Sequence, residues 1–63
     1  MTQSDIYWTF QTAISSGGNF YGRLAAAGLA ADPSNRQRLL AAFPELTETY
    51  GPASQLHRDI RTD

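Results

Sequence analysis

The sequence predicts an all-α fold: a small bundle of three main helices, with a short fourth helix read after Pro44. Three observations predict it. Apolar residues recur at helical spacing in stretches that glycine and proline separate. Valine is absent, three isoleucines and six threonines are the β-branched residues, and nine alanines favour helix. The connections are only a few residues long, which makes neighbouring helices antiparallel.

The first helix is expected from about Ser4 to Ser16, where Ile6, Phe10, Ala13 and Ile14 line one face and Tyr7 and Trp8 widen it. Ser4 is the expected cap, and Asp5 suits the positive end of the helix dipole. Ser15-Ser16-Gly17-Gly18 ends the helix, because glycine takes the left-handed cap conformation readily. The second helix is expected from Asn19, as its N-cap, to about Ala30. Its face of Phe20, Leu24, Ala27 and Gly28, with Tyr21 and Ala25 beside it, carries little bulk toward Gly22, Ala25, Ala26 and Gly28. A neighbouring helix can approach closely there, with the aromatic rings of the first helix above it.

Two openings of the third helix are open at this point. Asp32 is the N-cap with Pro33 at the first helical position, or Ser34 and Gln37 form a capping box. The helix then carries Leu39, Leu40 and Phe43. Proline removes a hydrogen bond and crowds the carbonyl four residues back. The spacing of Leu39, Phe43, Leu46 and Tyr50 nevertheless continues through Pro44. The expected result is a break or kink at Phe43 and a short helix from Pro44 to Gly51-Pro52. Residues 1–52 are read as one helical domain. Residues 53–63, with Leu56 and Ile60 at helical spacing, are read as a tail that is either a short helix or disordered.

Composition narrows the function classes. The chain has 63 residues, 41% of them hydrophobic, and a formal net charge of −1. That is ordinary for a folded globule and wrong for a polybasic arm or an acidic DNA mimic. With no cysteine and one histidine, neither disulfides nor a conventional zinc site is expected. No cofactor is expected either. The longest apolar run, Leu24 to Ala31, is far short of the ~20 residues of a membrane span, and the first residues are polar and slightly acidic. A cytoplasmic protein is the expectation.

Candidate chemistry fares poorly. Ser54, His57 and Asp59 lie close in sequence, but triads are assembled from distant, rigid elements. Glu45 and Glu48 share a helical face, yet catalytic carboxyls need burial that separates their titrations. Ser15-Ser16-Gly17-Gly18-Asn19 has the glycines of an anion nest but lacks the P-loop lysine and a preceding strand, so a structural turn is the plainer reading. An enzyme is not expected.

Two binding classes are left. Arg36 and Arg38 near the start of the third helix, joined by Arg23, would serve a small nucleic-acid-associated regulator, with Arg58 and Arg61 as a second patch. Five arginines on a near-neutral chain make few phosphate contacts, however. The stronger signal is the set of aromatic residues. Tyr7, Trp8, Phe10, Phe20, Tyr21, Phe43 and Tyr50 exceed what so short a chain encloses. Each taken singly fits the core, with tyrosine hydroxyls at its rim. Taken together they predict an interface, with Tyr7, Trp8, Phe43 and Tyr50 as contacts and arginines at the rim. The expected function is a non-catalytic helical module that forms a homo-oligomer, a dimer, and binds a larger protein.

Gly18-Asn19-Phe20-Tyr21-Gly22-Arg23-Leu24-Ala25, Ala41-Ala42-Phe43-Pro44-Glu45-Leu46 and Tyr50-Gly51-Pro52 carry a resemblance. Over about Gly17 to Pro52 the chain resembles a group of short accessory proteins found in bacteria and on phages and other mobile elements. The resemblance implies a setting in which small proteins bind and block or adapt a larger host protein. It implies no activity and no site residues.

Overall fold

The computed structural model describes residues 1–62. The fold is all-α, as the sequence predicts, with helices α1 (Gln3–Ser16), α2 (Gly18–Ala30), α3 (Pro33–Ala42), α4 (Glu45–Tyr50) and α5 (Gln55–Ile60) among the described residues.

Helix α1 starts earlier than its expected cap at Ser4. Thr2 is the N-cap: its hydroxyl accepts from the Asp5 amide and Asp5 accepts from the Thr2 amide, each at 3.0 Å. This reciprocal box satisfies two end amides at once, which a lone Ser4 hydroxyl would not. The buried stripe of α1 holds Ile6, Phe10 and Ala13, as expected, but it is turned toward Thr9 and Thr12, both fully buried. Their hydroxyls donate to the carbonyls of Asp5 and Trp8, four residues back, at 2.7 and 2.6 Å, and so need no partner outside the helix. That turn of the stripe leaves Ile14 41% exposed on the opposite rim, on the same edge as Tyr7.

The chain reverses within a single residue. The Gly17 amide donates to the Ala13 carbonyl at 2.7 Å, and Gly18, at φ +76°, adopts a backbone that L side chains rarely take. Helix α2 begins at once, so Asn19 lies in its first turn and is not the N-cap; Gly17 holds that position without a side-chain bond. Helix α2 packs along α1 more extensively than any other pair of helices.

Asp32 and Pro33 open α3, the first of the two expected arrangements. The Asp32 carboxylate accepts from Asn35 Nδ2 at 2.7 Å. Helix α3 has no fully buried residue; Leu39, Leu40 and Phe43 cover the core from one side. The expected break falls at Phe43, and α4 follows with Pro44 at its N-cap. Helix α4 places Leu46 and Tyr50 in the core beside Ile6, Phe10, Ala13 and Ala25.

The last segment is a short helix built into the same core. Ser54 caps α5 by accepting from the His57 amide, and donates to the Gly51 carbonyl at 2.8 Å. His57 is 1% exposed, and its Nδ1 lies 3.0 Å from the Tyr50 carbonyl, which makes Nδ1–H the donor. Arg61 fastens α5 to the start of α1, donating to Asp5 Oδ1 at 2.7 Å and to Ser4 Oγ at 3.1 Å.

Candidate functional site

The four aromatic residues expected to form one contact surface are distributed over three environments. Tyr7 is 47% exposed on α1. Trp8 beside it is half-buried, their rings edge to face with centroids 5.1 Å apart, and Gln11 Nε2 donates to the Tyr7 hydroxyl at 3.2 Å. Phe43 is also half-buried, but it lies by the start of α2, where Phe20 meets it with centroids 6.0 Å apart. Tyr50 is 8% exposed and belongs to the core. As an interface contact Tyr50 is therefore corrected: the break at Phe43 turns α4 inward, and its ring faces Tyr21 at 6.3 Å.

The spacing of these groups follows from α2. Leu29 in its last turn stands by Tyr7, whereas Phe20 in its first turn stands by Phe43. The two are nine positions apart in the helix, roughly 13 Å of rise. Tyr7 and Phe43 accordingly lie at opposite ends of the molecule's long packed pair.

The Tyr7 end is concave. Gln3, Ile6, Tyr7, Leu29 and Arg36 line a cleft of about 280 Å³ between the start of α1, the end of α2 and the start of α3. Arg36 is held there by two backbone bonds: Nε donates to the Gly28 carbonyl at 3.0 Å and Nη2 to the Ala31 carbonyl at 2.9 Å. Carbonyls at a helix C-terminus lack intrahelical partners, so Arg36 acts as a side-chain cap on α2. This changes the nucleic-acid reading, in which Arg36 was a leading contact. Part of its guanidinium is committed to the protein, while Arg23 and Arg38 are exposed and Arg38 reaches Asn35 Oδ1 at 3.2 Å.

The Phe20 end was not legible as a site. Phe20 is 59% exposed, the most exposed large apolar side chain, with its ring edge against Tyr21 at 5.0 Å. Its place in the first turn after Gly17-Gly18 is the signal that finds it, because a residue there projects beyond the packed part of the helix. Tyr21 donates its hydroxyl to Glu45 Oε2 at 2.9 Å, and this bond to a carboxylate pushes the Tyr21 phenol above its ordinary range.

The weaker candidates resolve into structural roles. Ser54 bonds the Gly51 carbonyl, His57 the Tyr50 carbonyl, and Asp59 accepts from Gln55 Nε2 at 2.7 Å, so these side chains do not form a relay. The Gly17 amide is taken by Ala13, which makes the glycine turn a chain reversal. Among the described residues no cluster of His, Asp and Glu has the makings of a metal site, and no helix is long and apolar enough to cross a membrane. Comparison with known proteins finds no family model, no curated protein and no solved structure that matches the chain.

Proposed function

We propose that this chain is a non-catalytic, cytoplasmic interaction module that self-associates and binds a larger protein, inhibiting or adapting it. The observation that carries the reading is the cleft at Tyr7. A half-exposed aromatic ring, two aliphatic side chains and an anchored arginine converge there. Aromatic and arginine side chains around a concave apolar patch are the composition of interaction hot spots. Further large apolar groups are left in water at Ile14, Phe20 and Leu56, in a protein too small to cover all of its own. The fold itself argues no function; the exposed residues do.

The test is the solution mass over a range of concentrations, for the wild type and for Tyr7→Ala and Trp8→Ala. Self-association that weakens in Tyr7→Ala supports the reading, and a wild type that stays monomeric removes it. The nucleic-acid alternative, now with Arg23 and Arg38 leading, is separated by ionic strength. Binding to phosphates falls steeply as salt rises, whereas apolar association holds or strengthens.

A further inference from the structure

The face of α5 turned away from α1 offers the complement of the Tyr7 cleft. His57 points into the core, and Leu56 and Asp59 lie one helical turn apart on the exposed side. Leu56 is 42% exposed. Asp59 uses Oδ1 for the bond from Gln55, and a carboxylate accepts on both oxygens. The cleft presents Ile6, Leu29 and Tyr7 with one cationic group, Arg36, and no acidic side chain in its lining.

We infer that the cleft receives α5 of a second copy of this chain, with Leu56 seated against Ile6, Leu29 and Tyr7 and Asp59 paired with Arg36. The inference rests on the self-association proposed above and names its two surfaces. The Asp59 carboxylate beside Leu56 supplies the charge that complements Arg36, while the exposed Arg58 on the other flank of α5 is turned to Gln55 Oε1 at 3.3 Å. Backbone carbonyls already hold the Arg36 fork at Nε and Nη2, so little side-chain freedom is lost when its other N–H groups meet a carboxylate.

The positions of the two surfaces allow the exchange to be mutual. Both flank the start of α1: Arg61 of α5 bonds Ser4 and Asp5, while Gln3, Ile6 and Tyr7 line the cleft. In a dimer with its two-fold axis near that end of α1, each α5 would meet the other copy's cleft, and the contact would close with no open end for a filament.

Sedimentation of the full chain tests the pairing, using wild type, Leu56→Ala, Asp59→Arg and the control Glu48→Arg. The control makes the same change of charge at an exposed site on α4. The altered α5 residues are exposed, and circular dichroism checks that each variant keeps its helices. The expected result is that Leu56→Ala and Asp59→Arg each weaken dimerisation about tenfold or more, while Glu48→Arg does not. A self-associating wild type matched by both α5 variants overturns this pairing and leaves self-association standing. A wild type monomeric at every concentration overturns both.

Discussion

The ring of Phe10 lies directly on the backbone of Gly28. A Cβ added at Gly28 would sit 2.6 Å from Phe10 Cζ and 2.7 Å from Cε1. Phe10 is fully buried, so its ring has no solvent to swing into. This contact lets α1 and α2 approach closely. Gly28→Ala gains about 1 kcal/mol of helix propensity but overpacks the core, at a cost of about 1–3 kcal/mol or somewhat more in so small a core. The 2.6 Å approach puts the cost at the upper end, so the expected net loss is about 1–2 kcal/mol, which lowers Tm by roughly 8–15 °C in a domain of this size. Thermal unfolding of Gly28→Ala checks it, and an unchanged Tm would show that the ring has room to move.

His57 is a core residue of α5. Its replacement by alanine opens a cavity and leaves the Tyr50 carbonyl without its donor. The expected loss is about 2–4 kcal/mol, a large share of the roughly 3–9 kcal/mol available to a domain of this length. Truncation after Pro52 removes the same contacts together with the Arg61–Asp5 pair, and the shortened chain is expected to lose cooperative unfolding. Denaturant titration of both variants measures this. A truncated chain with the wild-type midpoint would show that α5 is an appendage.

Asp5 links stability to acid. The bond from Arg61, and after it the Thr2 amide, hold its carboxyl down from 3.8 to about 2. A group whose folded value is depressed contributes stability that is complete above its unfolded value and is lost as pH falls toward its folded one. Asp5→Asn is therefore expected to have a lower Tm than wild type at pH 6, with the gap closing between pH 3.8 and about 2. Melting curves across that range decide it. A gap that stays constant into strong acid would assign the effect to something other than the charge.

Tyr21 carries the opposite sign at high pH. Its bond to Glu45, assisted by burial, raises the phenol above 10.0, so one tyrosine is expected to ionise late in an absorbance titration. The stabilisation from this bond is complete below 10.0 and declines as pH rises through the folded value. Glu45→Gln should return that tyrosine toward 10.0. A titration identical to wild type would show that the carboxylate does not govern it.

The helices were readable from the sequence because their signals are local. Glycine at 17 and 18, Asp32-Pro33 and the Phe43-Pro44 break each act on the backbone within one turn. The caps at Thr2 and Gly17 were missed because a capping box and a one-residue reversal compete with other caps two residues away. The site was harder. Periodicity assigns residues to a face but does not say which faces the other helices cover. Tyr50 looked like Tyr7 as a residue type, yet the turn at Phe43 buries one while the end of the bundle exposes the other. Arg36 could not be told from Arg38 until the end of α2 was placed beside it. The packing of α5 depends on Arg61 meeting Asp5, 56 residues earlier in the chain, a distance over which local pattern carries no information.

We propose that the side chains left in water at the Tyr7 end meet protein, beginning with a second copy of the chain. Sedimentation equilibrium of the wild type beside Tyr7→Ala, over a hundredfold range of concentration, tests it most directly. The wild-type mass is expected to rise from 6.9 kDa toward twice that value, and Tyr7→Ala to need a markedly higher concentration to follow it. A mass fixed at 6.9 kDa for both would contradict it.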